Sequence, residues 1–270
     1  MSTVRVNGVD LYYELHGATD GEVLVLSNGV LMSTASWAFQ TPVLSRDYRL
    51  LLYDCRGMWR SEHPKGPYSM ELHADDLAAL LDVLGIEKAH IAGISYGGEV
   101  SMMFALRYPQ RTHSLIVSSA VSESDAVLRG MVDMWSEAAR AKDAKRLFEV
   151  TYMLNFSADY IQRNREAVFS AASRYALLDM DSLLELLDSF NRLNITDQLK
   201  LIEAPTLVMV GEEDILKPRK YSQIIAREIP NAQLVVVPEA GHALCLEKPT
   251  IFNALILGFL RQIQGQRMDA

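Results

Sequence analysis

Short apolar runs alternate with longer stretches of helical periodicity along most of the chain, and this alternation constrains the fold more than any other feature. Residues 23–26 (Val-Leu-Val-Leu) and 49–53 (Arg-Leu-Leu-Leu-Tyr) are near-continuous apolar runs, the pattern of strands covered on both faces. Residues 88–92, 114–118, 205–210 and 233–237 read as further strands. Helical patterns separate them. Ser69 is placed to cap a helix whose Leu77, Leu80, Leu81 and Leu84 share one face, with Gly85 placed to end it. Residues 96–107 read as a helix stopped before Pro109, and another helix lies near residues 220–228. The last helix repeats Phe252, Leu255, Ile256, Phe259, Leu260 and Ile263 on one face. Strand and helix in turn mean βαβ units, so a mostly parallel central sheet flanked by helices is expected. The N-terminus differs: residues 4–6 and 9–13 flank Asn7-Gly8 and read as a hairpin, since Asn-Gly accepts the positive φ angles of a type I′ turn.

The alternation stops between residues 122 and 197, where only helical patterns occur, as in Leu183, Leu184, Leu187 and Phe190. The expected organisation is therefore an α/β core of residues 1–121 and 198–270, interrupted by an all-helical cap at 122–197. Ligands bind beyond the carboxyl ends of parallel strands, which makes the insertion a candidate lid. The alternative is a helical excrescence with only a packing role. Composition excludes other classes. With 49% hydrophobic and 22% charged residues, the chain is neither disordered nor fibrous. Cys55 and Cys245 are too few for a disulfide framework and are expected as reduced thiols. A net charge of -8 argues against nucleic acid or an anionic membrane as the main partner. No apolar run approaches the roughly 18 residues of a membrane span, and the first ten residues hold no signal-peptide core. A cytoplasmic monomer or homodimer is the expectation.

The sharpest chemical signal is Gly93-Ile94-Ser95-Tyr96-Gly97, between an expected strand and an expected helix. A tight turn there pushes Ser95 Oγ out above the sheet edge, and side chains at 93 and 97 would collide in so sharp a turn. A dinucleotide-binding reading fails, because glycine is needed where Ser95 stands. A serine hydroxyl needs a base to take its proton. Of six histidines, His242 follows the last expected strand and so sits at the same sheet edge as Ser95. His16, His63, His73, His90 and His113 lie in or beside strands, surface loops or helix starts, where structural or solvent-facing roles are expected. No histidine pair or Cys/His cluster has metal-site spacing, so no metal is expected. The base needs a carboxylate to fix its tautomer. Asp214, after the penultimate strand, is the choice, with Glu212 and Glu213 as neighbouring alternatives. The backbone N–H groups of Tyr96 and Val30 are the candidate oxyanion donors, although Asn28-Gly29 before Val30 could also form a plain turn.

These residues identify the chain as a member of the α/β-hydrolase superfamily over nearly its whole length. The order Ser95, Asp214, His242 is that of this family rather than of chymotrypsin or subtilisin. Residues 54–61 resemble the family's D-x-R-G-x-G-x-S loop, but Trp59 stands where a second glycine is usual, which would bring an indole near the pocket. Most members carry His-Gly where this chain has Asn28-Gly29. That asparagine, with Trp37, is similar to 3-oxoadipate enol-lactonases. Asn28-Gly29 followed by residues 33–36 also resembles, more faintly, the synthase that joins 3-hydroxyacyl chains into rhamnolipid precursors.

The resemblance implies acyl transfer through an acyl-enzyme on Ser95, with no metal or organic cofactor. A serine carboxylic-ester hydrolase acting on small or medium esters, lactones or thioesters is the leading expectation. An acyltransferase using the same triad on 3-hydroxyacyl thioesters, and a catalytically weak ligand-binding relative, are the alternatives. Asn28, Leu31, Trp37 and Trp135 are the candidate substrate contacts. Met131, Met134, Met153, Met180, Phe148, Tyr152, Phe156 and Phe169 in the insertion would suit a varied apolar acyl group, or else pack the lid on the core. Lys142, Lys145, Arg146, Arg163 and Arg165 would meet an acidic partner, or else form a solvated face.

Overall fold

The computed structural model describes residues 2–268; residue 1 and residues 269–270, the ends of the expected core, lie outside the described residues. The strands are β1 (Ser2–Val6), β2 (Val9–His16), β3 (Val23–Ser27), β4 (Arg49–Tyr53), β5 (Ala89–Ile94), β6 (Thr112–Ser118), β7 (Thr206–Gly211) and β8 (Ala232–Val237). They form one eight-stranded sheet in the order β1-β2-β4-β3-β5-β6-β7-β8. The β1–β2 and β2–β4 pairs are antiparallel, and every pair from β4 to β8 is parallel. The N-terminal hairpin turns at Asn7 and Gly8, with φ angles of 44° and 75°.

Alternation along the strands builds two cores. Val23, Val25, Leu51 and Tyr53 join one cluster with Leu77, Leu80 and Leu81 of the helix Met70–Val83. Leu24, Leu26, Leu50 and Leu52 point the other way and meet Phe252, Ile256, Phe259, Leu260 and Ile263 of the helix Pro249–Met268. Helices on both faces bury the central strands completely, which explains their near-continuous apolar sequence. Local signals set the helix ends. Ser69 Oγ accepts the Leu72 N–H at 3.1 Å, and Gly85 takes a φ of 64° just beyond the helix.

Between β6 and β7 the described residues form helices and one isolated bridge, Glu123 to Asn194, at the stem of the insertion. Its longer helices are Ala126–Arg140, Ala144–Asn155 and Met180–Asn191. Asp125, Asp143 and Asp179 each accept first-turn N–H groups at their starts, and Ser157 does so for the short helix Ala158–Arg163. Among the described residues no helix is long and apolar enough to cross a membrane.

The chain runs from β3 to β4 on one side and returns to β5 on the other side of β3. The carboxyl ends of β3 and β5 therefore flank a topological switch point, the position at which open α/β sheets bind ligands. Ser27 pairs with Gly93 across this junction.

Candidate active site

Ser95 sits between β5 and the helix Tyr96–Arg107, with φ 54° and ψ -122°, a conformation that is costly for a residue with a side chain. Two glycines make the turn possible. A Cβ on Gly93 would lie 2.1 Å from the Gly97 carbonyl oxygen, and one on Gly97 would lie 2.1 Å from that of Ser27. The elbow thus presses against the end of β3 with room only for hydrogen. The Ser95 N–H donates to Ser118 O at 2.8 Å, tying the turn to β6.

Asp214 follows β7, and His242 lies on the loop after β8. His242 Nδ1 and Asp214 Oδ2 are 2.9 Å apart, both residues being 4% exposed. An ionised carboxylate only accepts, so Nδ1 carries the proton and Nε2 keeps a free lone pair for a base. Asp214 Oδ1 accepts the Lys217 N–H at 2.8 Å. Both carboxylate oxygens are thus engaged. Glu212 and Glu213 are exposed, which leaves Asp214 as the residue that meets the histidine.

The Tyr96 N–H belongs to the first turn of its helix, where no intrahelical acceptor exists. The loop after β3 passes so close to the elbow that a Cβ on Gly29 would stand 3.5 Å from Ser95 Cβ. Val30, next in that loop, borders the same cavity as Ser95. The two expected oxyanion donors thus belong to segments that meet at Ser95. Tyr96 is further held by its hydroxyl, 2.9 Å from Nε2 of the buried His73. Burial pushes the His73 imidazole down to about 3, with the Arg56 cation adding to the effect.

A cavity of about 260 Å³ opens above Ser95 and His242. Of the four candidate substrate contacts, Leu31 and Trp135 line it. Asn28 and Trp37 do not. Both are fully buried, with Trp37 Nε1 donating to Asn28 Oδ1 at 2.8 Å and Asn28 Nδ2 donating to Asp54 Oδ1 at 2.8 Å. Asp54 Oδ1 also accepts the Thr34 N–H at 2.8 Å. These residues fix the path of the β3 loop from the protein interior, so their polar atoms are spent on one another rather than on a ligand. Burial raises the Asp54 carboxyl to about 6, against the Thr34 and Arg60 N–H groups and Asn28, which pull it down.

Trp59 adopts a φ of 45°, keeping the left-handed backbone that the usual glycine would supply, and its indole lines the cavity. Arg174, also at the cavity wall, places its guanidinium 5.0 Å from the centre of that ring. In the insertion, Trp135, Phe148, Tyr152 and Phe156 face the cavity, whereas Met134, Met153 and Phe169 are exposed and Met180 is buried in the core. On the insertion side aromatics rather than methionines form the cavity wall, while Met131 lines a small adjoining recess and Met32 of the β3 loop reaches the cavity. Lys142, Lys145, Arg146, Arg163 and Arg165 are exposed; Lys142 pairs with Asp181 and Arg163 with Asp159. Among the described residues no group of three or more His, Cys, Asp or Glu is placed to hold a metal ion.

Sequence reasoning missed one pair of charges. Lys217 Nζ donates to Glu99 Oε1 at 2.8 Å and to Ser95 Oγ at 3.2 Å, all out of solvent. A glutamate one turn after Ser95, inside an otherwise apolar stretch, is the available signal. Burial lifts the Glu99 carboxyl above the usual range, while Lys217 and the Val121 N–H oppose that rise.

Residues 22–249 match the family model described as alpha/beta hydrolase fold. The chain belongs to the alpha/beta hydrolase family. RutD of Stutzerimonas stutzeri (strain A1501), provisionally named a carbamate hydrolase, is 32% identical over 263 residues, covering 95% of this chain and 98% of the relative. The enol-lactonase from Burkholderia xenovorans LB400 superposes with a TM-score of 0.91 at 26% identity, over 96% of this chain and 100% of that one. A thermophilic esterase from Thermogutta terrifontis gives a TM-score of 0.88 at 27% identity, over 97% of both chains. Alpha/beta hydrolases thus surround this chain in both sequence and structure.

Proposed function

We propose that the protein is a serine hydrolase that cleaves a small carboxylic ester or lactone through an acyl-enzyme on Ser95. The carrying observation is the His242–Asp214 contact of 2.9 Å beside a strained Ser95 that faces an apolar cavity. His242 Nε2 takes the Ser95 proton as Oγ attacks the carbonyl carbon, and Asp214 steadies the imidazolium that forms. The N–H groups of Val30 and Tyr96 receive the charge on the carbonyl oxygen. His242 then gives its proton to the departing alcohol oxygen, and water attacks the acyl-enzyme by the reverse sequence. In a lactone the departing oxygen stays attached to the acyl chain, so ring opening follows the same steps.

The volume of about 260 Å³ lies just below the roughly 300–1,000 Å³ of ordinary small-molecule sites, which favours a substrate of modest size. The aromatic wall contributed by the insertion favours an apolar acyl group, with the helical insertion acting as its lid. The enol-lactonase and esterase likenesses support the same bond type. The RutD relatives make carbamates the second class to compare.

A panel of p-nitrophenyl esters of increasing chain length, run beside lactones, acyl thioesters and carbamates, tests the reading. Turnover is expected on short to medium esters or lactones, with a fall as the chain outgrows the cavity. Turnover of carbamates alone would replace the ester reading. Failure on every class, together with failure of a fluorophosphonate to label the protein, would overturn it.

A further inference from the structure

The proposed triad leaves unused a buried ion pair that touches the nucleophile. Lys217 Nζ lies 2.8 Å from Glu99 Oε1, 3.2 Å from Ser95 Oγ and 4.7 Å from the centre of the Phe190 ring. The Lys217 side chain is 6% exposed and that of Glu99 0%. Both ends of the pair are fixed. The Lys217 backbone N–H bonds to Asp214, and Glu99 Oε1 also accepts the Val121 N–H at 2.9 Å. The ammonium also borders a small apolar recess of about 40 Å³, walled by Val30, Trp135, Leu187, Phe190 and Leu216. Burying such a pair gives little net stability, and apolar residues of similar volume commonly serve packing as well or better. Its contact with the reacting oxygen therefore calls for a chemical account.

We propose that Lys217 is a further catalytic residue, whose ammonium, held in place by Glu99, donates a hydrogen bond to Ser95 Oγ and stabilises charge on that atom. The proposal rests on the acyl-enzyme reading. A hydroxyl oxygen accepts up to two bonds and still has its own proton to give, so the Lys217 contact is compatible with proton transfer to His242. The oxyanion donors act on the carbonyl oxygen of the substrate and His242 moves the proton of the serine; Lys217 adds a charged donor to the serine oxygen itself. Its effect is greatest in deacylation. Water adds to the acyl carbon, the carbon–Oγ bond breaks, and its electron pair goes to Oγ. His242 supplies the proton that Oγ takes up, and Lys217 keeps its own three throughout. A charged donor 3.2 Å from Oγ before reaction needs little rearrangement to serve it as a leaving group.

Burst kinetics with a p-nitrophenyl ester separate the two half-reactions, and intact mass after acid quench detects the acyl-enzyme. Lys217→Met alone leaves Glu99 buried without a cation, so Lys217→Met/Glu99→Leu is the decisive variant. Lys217→Gln, which still packs against Glu99, is the second variant should the first fail to fold. Deacylation of the double variant is expected to slow by about 10²-fold, with the acyl adduct accumulating and the burst phase changed far less. The Gln variant is expected to slow by at least about tenfold, since it keeps a donor but loses the charge. Wild-type deacylation rates in the double variant, or in the Gln variant where only that one folds, would show a packing role and overturn the proposal. A native protein with no adduct and no fluorophosphonate labelling would instead sink the acyl-enzyme reading, and this proposal with it.

Discussion

Asp214 meets His242 with one oxygen and the Lys217 N–H with the other, so its proposed role is orientation as much as charge. Asp214→Asn keeps the shape but can present an amide to Nδ1, which places the imidazole proton on the nitrogen that should act as base. A kcat lower by about 10³–10⁴-fold is expected, with an unchanged far-ultraviolet circular dichroism spectrum. A loss under tenfold would remove Asp214 from the proposed mechanism. The candidate triad is legible because each member lies shortly beyond the end of a strand of the parallel sheet, and strand ends can be read from apolar runs. The Lys217–Glu99 pair is not, since its members are 118 positions apart and only the folded sheet brings them to one oxygen. Asn28 and Trp37 lie in the segment that follows β3, yet their bond to each other turns them inward, and no local pattern signals it.

At the scale of elements, the elbow and the contact between the insertion and the histidine loop hold the site together. Gly97→Ala would drive a Cβ to within 2.1 Å of the Ser27 carbonyl, a backbone atom that cannot swing aside. A loss of more than about 3 kcal/mol is expected in denaturant unfolding, with activity lost as well. Glu247 links two segments: Oε2 accepts Ser157 Oγ at 2.6 Å, and Oε1 accepts the Gly241 N–H, next to His242, at 3.0 Å. Glu247→Ala leaves those donors unpaired and loosens the insertion on the histidine loop, where the Ala243 N–H to Asn155 O bond of 2.8 Å remains. Its Tm is expected to fall by about 5 °C or more and its kcat with it, whereas a structural role confined to the insertion would lower Tm alone. Strand and helix positions were legible here because period and capping are local. Which insertion side chains line the cavity was not, because Met134 and Trp135 are neighbours in sequence that face opposite ways in the helix.

Across the whole molecule, the alternating chain becomes a sheet with a core on each face, and its switch point brings together the β3 loop and the elbow. Two buried groups make its stability depend on pH in opposite senses. His73 is held neutral down to about 3, against an ordinary value of 6.5. The unfolded chain takes up a proton as pH falls below 6.5 while the folded one does not, so His73 costs about 2 kcal/mol of stability between pH 6.5 and 5. Asp54, raised from 3.8 to about 6, binds its proton first in the folded state and adds stability as pH falls from 6 towards 4. The stability of His73→Gln relative to the native protein should therefore improve by about 2 kcal/mol from pH 7 to pH 5; a constant difference would contradict the assignment. Ser95 is the residue proposed to carry the acyl group. This role is tested by mapping the residue modified when the protein is mixed with a p-nitrophenyl ester or a fluorophosphonate and digested, with Ser95→Ala in parallel. A single adduct on Ser95 is expected and, in the alanine variant, an intact fold, no adduct and kcat lower by at least about 10⁴-fold. An adduct elsewhere, or turnover by Ser95→Ala within tenfold of the native protein, would contradict that role.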